Sequence, residues 1–135
     1  METGPIVEAV RRFLEAHGEG IACAYLFGSI ARGMAGPASD LDIAVLYERD
    51  PPETLEGSGV GLGGELEVSV GLPVDLVVLN RAPVDLVHRV LRDGILVLER
   101  DRNARVRFEV RARNAYFDLK PHMDRYRRAG ERPHG

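Results

Sequence analysis

Two short stretches of this chain carry residue types that can do chemistry. In Phe27-Gly28-Ser29-Ile30-Ala31-Arg32-Gly33 a Gly-Ser turn closes an apolar run, and ten residues separate Ser29 from Asp40-Leu41-Asp42, which opens the next one. Glycine permits an unusual backbone angle and the close approach of a ligand, while Ser29 and a helix start behind it offer O–H and N–H donors to an anion. Asp40 and Asp42, two apart on a strand, project to the same side and repel each other unless a cation lies between them. A third acid, Asp75, interrupts the apolar run Pro73-Val74-Asp75-Leu76-Val77-Val78-Leu79. A buried carboxylate without a partner costs several kcal/mol, so each acid needs a cation, a shifted pKa or hydrogen-bond donors. If the strands are neighbours, one or two Mg²⁺ ions would satisfy all three acids and keep positions open for phosphate. Arg32 either adds charge to this cradle or is a plain surface arginine.

The elements that must position these residues are legible from periodicity. Ile6, Val7, Val10, Phe13 and Leu14 mark one face of a helix over Pro5–His17, with Pro5 at its first position and Gly18 at its end. Ile21–Phe27 reads as a strand buried on both faces, Ser29–Gly33 as a short helix and Met34–Ser39 as a loop. Leu41–Tyr47 is a strand with Leu41, Ile43, Val45 and Tyr47 on one face. Between Gly57 and Gly71 six glycines oppose regular structure, and only a weak helix around Glu65–Val70 is expected. Pro73–Leu79 reads as a second buried strand, Asn80–Asp93 as a helix with Pro83 at its first position and Gly94 as its stop, and Ile95–Leu98 as a short strand. A last helix over Arg102–Lys120 carries Phe108, Ala112, Ala115, Tyr116 and Leu119, and Pro121 should break or kink it before Met123 and Tyr126.

A chain of 135 residues with 44% apolar content matches one domain over 1–135 with one core. Cys23, the single cysteine, lies in an apolar run and reads as a buried reduced thiol. No apolar run approaches the ~20 residues of a membrane span, so a cytoplasmic protein is expected, without a membrane partner. The net charge of -3 hides an asymmetry: residues 1–99 hold 7 basic and 16 acidic side chains, residues 100–135 hold 11 and 5. Residues 100–135 are thus a basic helical arm on an acidic body. Such an arm is a contact surface for an acidic partner or nucleic acid, or else a solvated helix face with intrachain pairs.

Other motifs lead away from function. Gly59-Val60-Gly61-Leu62-Gly63-Gly64 satisfies a dinucleotide-binding pattern but follows no strand. Ser29 lacks the second glycine of a nucleophile elbow, and His17, His88, His122 and His134 are too scattered for a hydrolase triad or a zinc site.

Strand, Gly-Ser, ten residues, Asp-x-Asp, strand and then a strand-borne Asp75 resemble, together, the DNA polymerase β-type nucleotidyltransferase superfamily, in particular its minimal members, the MNT domains. The likeness runs from about Ile21 to Leu98, and Tyr116-Phe117-Asp118-Leu119 is also similar to MNT chains. The Gly57–Gly64 patch departs from the pattern, since many relatives carry a firmer helix there. The resemblance implies an α/β fold with a small mixed sheet, helices mainly on one face and the site at the sheet's open edge. It implies that Gly28 and Ser29 hold the β and γ phosphates of ATP, that Asp40 and Asp42 ligate two Mg²⁺ ions, and that Asp75 helps hold the catalytic metal and assists deprotonation of an acceptor hydroxyl. It further implies an MNT antitoxin that adds AMP to a tyrosine of a cognate HEPN toxin, an RNase, bound through the C-terminal part as a hetero-oligomer. Two alternatives stand beside it: a binding module that silences its partner by occlusion, and a small-molecule nucleotidyltransferase like the aminoglycoside-modifying relatives.

Overall fold

Two apolar runs form the centre of the sheet with the limits their composition predicts: β1 (Ile21–Phe27) and β2 (Leu41–Tyr47). In the computed structural model, which describes residues 3–34, 36 and 39–131, they pair antiparallel within a four-stranded sheet. β3 (Val74–Val78) runs parallel to β2 and β4 (Ile95–Glu99) antiparallel to β1, giving the order β3-β2-β1-β4. Parallel neighbours need a crossover, and α3 (Val60–Val70) lies in the one between β2 and β3. The remaining helices are α1 (Thr3–His17), the single turn α2 (Gly28–Ala31), α4 (Val84–Asp93) and α5 (Arg102–Glu131). The mixed α/β class is as expected.

The helices cover both faces of the sheet, where they were expected mainly on one. Val10, Phe13 and Leu14 of α1 and Leu66 of α3 pack with Leu26, Leu41, Ile43 and Val45. Val87 and Val90 of α4, with Ala104, Phe108 and Ala112 of α5, pack with Ala22, Cys23, Tyr25, Ala44 and Leu46. The physical reason lies in the two central strands, which are apolar on both sides, so each side must be shielded from water. β3 departs from its expected burial for the complementary reason. It is an edge strand, with Asp75 exposed and Val74 and Leu76 half-buried.

Two glycine and proline expectations are also overturned. The glycine-rich patch forms an eleven-residue helix, α3, preceded by a 3-10 turn at Glu56–Ser58. Its glycines give close approach to β3: a β-carbon on Gly59, at φ +86°, would lie 2.5 Å from Leu76 Cδ2, and one on Gly63 would lie 3.3 Å from Leu76 Cβ. The dinucleotide-like pattern is the start of this helix and follows no strand. α5 continues through Pro121. Proline removes one N–H from the ladder, but the carbonyl it would have bonded belongs to Phe117, which is exposed enough for water to take over.

α1 begins at Thr3, so Pro5 occupies the first turn, where its missing N–H is not needed. Arg100 donates to the carbonyls of Leu14 (2.8 Å), Glu15 (2.8 Å) and Gly18, closing the end of α1. Among the described residues no helix is long and apolar enough to cross a membrane. Positions 35, 37 and 38 of the expected loop, the side chain of Met123 and His134 lie outside the described residues.

Candidate active site

Sheet register assembles the acids. Parallel pairing of β2 with β3 sets Asp42 beside Asp75, and antiparallel pairing of β1 with β2 sets Phe27 opposite Asp42. The chain therefore leaves β1 into Gly28 directly against the Asp42 carboxylate. Gly28 holds φ +78°, and a β-carbon there would stand 2.0 Å from Asp42 Oδ2. The Gly-Ser turn and the acids are thus neighbours because two strands end side by side.

Gly28, Ser29, Arg32, Asp42 and Asp75 line a cavity of about 560 Å³, completed by Phe27, Val77 and Leu86 and by Arg89, Arg92 and Asp93 of α4. Asp40 precedes β2, is exposed, and does not line this cavity, although its charge reaches Asp42. Partial burial, then the charges of Asp75 and Asp40, hold the Asp42 carboxyl above the usual carboxylate value. Among the described residues no side chain donates a hydrogen bond to Asp42 or Asp75, and no group of three His, Cys, Asp or Glu side chains is gathered to hold an ion by itself. Two adjacent carboxylates, unpaired and hard, fit a Mg²⁺ ion, which binds through one or two carboxylates and completes its shell with water and phosphate oxygens. Since α2 is one turn long, its N-terminus contributes only local N–H groups to an anion.

Arg89, Arg92 and Asp93 were not legible as site residues, because the helix was read by its apolar face alone. The signal was present: two arginines three residues apart, on the helix that follows the third-acid strand. Arg92 forks onto Asp93, with Nε 3.0 Å from Oδ1 and an NH2 nitrogen 2.8 Å from Oδ2. That contact, and the nearby charges of Arg92, Arg32 and His88, hold the Asp93 carboxyl below its usual value.

The family model described as polymerase beta, nucleotidyltransferase matches residues 8–103. The chain belongs to this nucleotidyltransferase family. A solved toxin-antitoxin complex with AMP-PNP is similar at 23% identity and TM-score 0.80, covering 93% of this chain and 98% of that one. A complex of a tri-AMPylated Shewanella oneidensis HEPN toxin with an MNT antitoxin matches at 21% identity and TM-score 0.73, covering 93% and 96%. At those identities the likeness is one of fold. A structure described as a minimal nucleotidyltransferase is 35% identical with TM-score 0.54, covering 67% of this chain and 88% of that chain. No match is found among curated proteins. Nucleotidyl transfer is accordingly the reaction class of this chain. The family match ends at residue 103, so most of α5 lies beyond it, whereas the toxin-antitoxin likeness extends over 93% of the chain.

Proposed function

We propose that this protein transfers AMP from ATP to a hydroxyl acceptor, a tyrosine of a cognate HEPN-type toxin, with Asp40, Asp42 and Asp75 holding Mg²⁺ and Gly28, Ser29 and Arg32 meeting the triphosphate. The observation that carries the reading is the pairing of Asp42 with Asp75 across two parallel strands, against a Gly-Ser turn, in one cavity. Bound Mg²⁺ would neutralise phosphate charge and stabilise the attacking and leaving oxygens. Asp75, exposed at the sheet edge, would take the proton of the acceptor hydroxyl. The acceptor oxygen then bonds to the α phosphorus as the bond from that phosphorus to the β-bridging oxygen breaks. The electron pair leaves with pyrophosphate. Gly28 keeps the turn against Asp42, so positioning and charge neutralisation supply most of the rate.

The acceptor is inferred from two supports. Solved complexes of similar fold pair an MNT antitoxin with a HEPN toxin, one of them tri-AMPylated. α5 also leaves Val106, Val110 and Phe117 exposed, at spacings of four and seven residues that put them on one side of the helix, an apolar strip for a protein partner. In this reading residues 1–135 act as one catalytic unit in the cytoplasm, with 100–135 as its docking arm. Incubation with labelled ATP, Mg²⁺ and the neighbouring gene product should label that partner, and Asp42→Asn should abolish labelling. Label that survives the change would reject the site. A pull-down with Asp40→Asn and Asp42→Asn separates catalysis from occlusion, since pure occlusion leaves inhibition of the partner intact in both variants.

A further inference from the structure

We propose that Arg89 and Arg92 of α4 grip the β and γ phosphates of the nucleotide and the pyrophosphate that departs, an assignment that rests on the nucleotidyl-transfer reading above. Both line the cavity that holds Asp42 and Asp75. Three residues apart, they share one side of the helix. α4 ends at the strand that carries the Gly-Ser turn: a β-carbon on Gly94, its C-terminal neighbour, would lie 3.4 Å from the Leu26 carbonyl of β1. The arginines therefore belong to the end of the cavity beside Gly28 and Ser29.

Charge divides the cavity in two. One wall offers the carboxylates of Asp42 and Asp75, suited to a cation; the other offers the guanidiniums of Arg32, Arg89 and Arg92 with the single acid Asp93 among them. A nucleoside triphosphate has the matching polarity, because its α phosphate is the reacting centre and its β and γ phosphates carry the greater charge. The Arg92 fork onto Asp93 engages Nε and one terminal nitrogen and fixes the plane of the guanidinium. Arg89 has no acidic partner among the described residues. As the α phosphorus–oxygen bond breaks, negative charge grows on the bridging oxygen of pyrophosphate, and N–H donors on that side stabilise it.

Calorimetric titration of the full-length protein in Mg²⁺ with ATP, AMP and pyrophosphate tests this. Arg89→Gln and Arg92→Gln should each weaken ATP and pyrophosphate binding about tenfold, or about 1.4 kcal/mol, and leave AMP binding unchanged. Arg89→Lys should recover part of the loss, since a point charge replaces a fork. Both positions are exposed, so the variants should melt like the parent. Unchanged pyrophosphate affinity in both glutamine variants would overturn the assignment even if the parent labels its partner. A parent that binds pyrophosphate through these arginines but transfers nothing would instead overturn the functional reading and leave the assignment standing.

Discussion

Gly28 presents its bare α-carbon to the Asp42 carboxylate, with no room for a methyl group: a β-carbon would sit 2.0 Å from Oδ2. Gly28→Ala meets two separate penalties. The φ of +78° costs an alanine about 1–2 kcal/mol, and the methyl drives the Asp42 carboxylate out of line with Asp75. Chemical denaturation should show a loss of about 1–3 kcal/mol, modest for a folded domain, while AMP transfer falls by about a hundredfold or more. Full activity in a folded Gly28→Ala protein would mean that the turn does not shape the site.

Asp42 trades stability for function. Its carboxyl titrates above the ordinary value of 3.8, held there by burial and by Asp75 and Asp40, so the folded chain binds that proton more tightly than the unfolded one. The stability contributed by this group is present below 3.8 and is lost as the pH rises through the folded value. At neutral pH the ionised form is a liability in the ion-free protein. Asp42→Asn should therefore raise the ion-free melting temperature by about a few degrees, while AMP transfer is abolished. Mg²⁺ should raise the melting temperature of the parent and leave that of Asp42→Asn where it was. In carboxyl NMR titrations, Asp75→Asn should move the Asp42 midpoint downward; an unmoved midpoint would show that the two charges do not meet.

The two central strands were legible from sequence to the residue, because Ile21–Phe27 and Leu41–Tyr47 are bounded runs whose apolar faces must be shielded, and the strand of Asp75, read as Pro73–Leu79, is Val74–Val78. Spacing paired Asp40 with Asp42 and joined Asp75 to them only if the strands were neighbours; parallel register sets Asp75 beside Asp42, while Asp40 does not line the cavity. What sequence concealed were relationships between elements. The glycines of α3 read as breakers when their neighbour Leu76 was not yet in view, and the apolar face of α4 gave no sign that Arg89 and Arg92 line the cavity. Charge counting left open whether the basic arm is a contact surface or a helix face with intrachain pairs; Arg100 closes α1 and Arg105 is shared between Glu99 and Glu109, so part of that charge is spent inside the fold. Apolar periodicity and net charge see none of these, since each depends on which side chain a neighbouring residue meets, from four positions away for Arg105 and Glu109 to 86 for Arg100 and Leu14.

In α3 and at Gly59 just before it, the glycines divide into those that are needed and those that are not. β-carbons on Gly61 and Gly64 would meet nothing within 4 Å, whereas Gly59 and Gly63 abut Leu76. Gly64→Ala should stabilise the protein by about 0.5–1 kcal/mol, since alanine loses less backbone freedom on entering a helix. Gly61→Ala, nearer the helix start, should give somewhat less. Gly59→Ala should destabilise, because it combines φ +86° with a 2.5 Å approach to Leu76 Cδ2. Urea denaturation of the three single variants checks the ordering; equal effects would show that close packing on β3 is not what the glycines serve.

α5 is fastened to the sheet by one polar cluster in an otherwise apolar contact. The Tyr25 hydroxyl on β1 donates to Glu109 Oε1 at 2.7 Å, Arg105 donates to both Glu109 oxygens at 3.0 Å, and its Nε donates to Glu99 at the end of β4 at 2.6 Å. Burial and the neighbouring Glu109 push the Tyr25 phenol far above its ordinary value, so it remains a donor throughout the accessible range. Tyr25→Phe keeps the ring in the core and removes only the hydroxyl, leaving Glu109 with its arginine. The loss should be about 1–2 kcal/mol, and equal at about pH 6 and pH 9 because no ionisation of the phenol intervenes. Since the cavity acids lie on β2 and β3, binding of ATP should be unaffected, while capture of the partner through α5 should weaken in step with the loosened helix. A Tyr25→Phe protein as stable as the parent would show that apolar packing of Phe108 and Ala112 alone holds the arm in place.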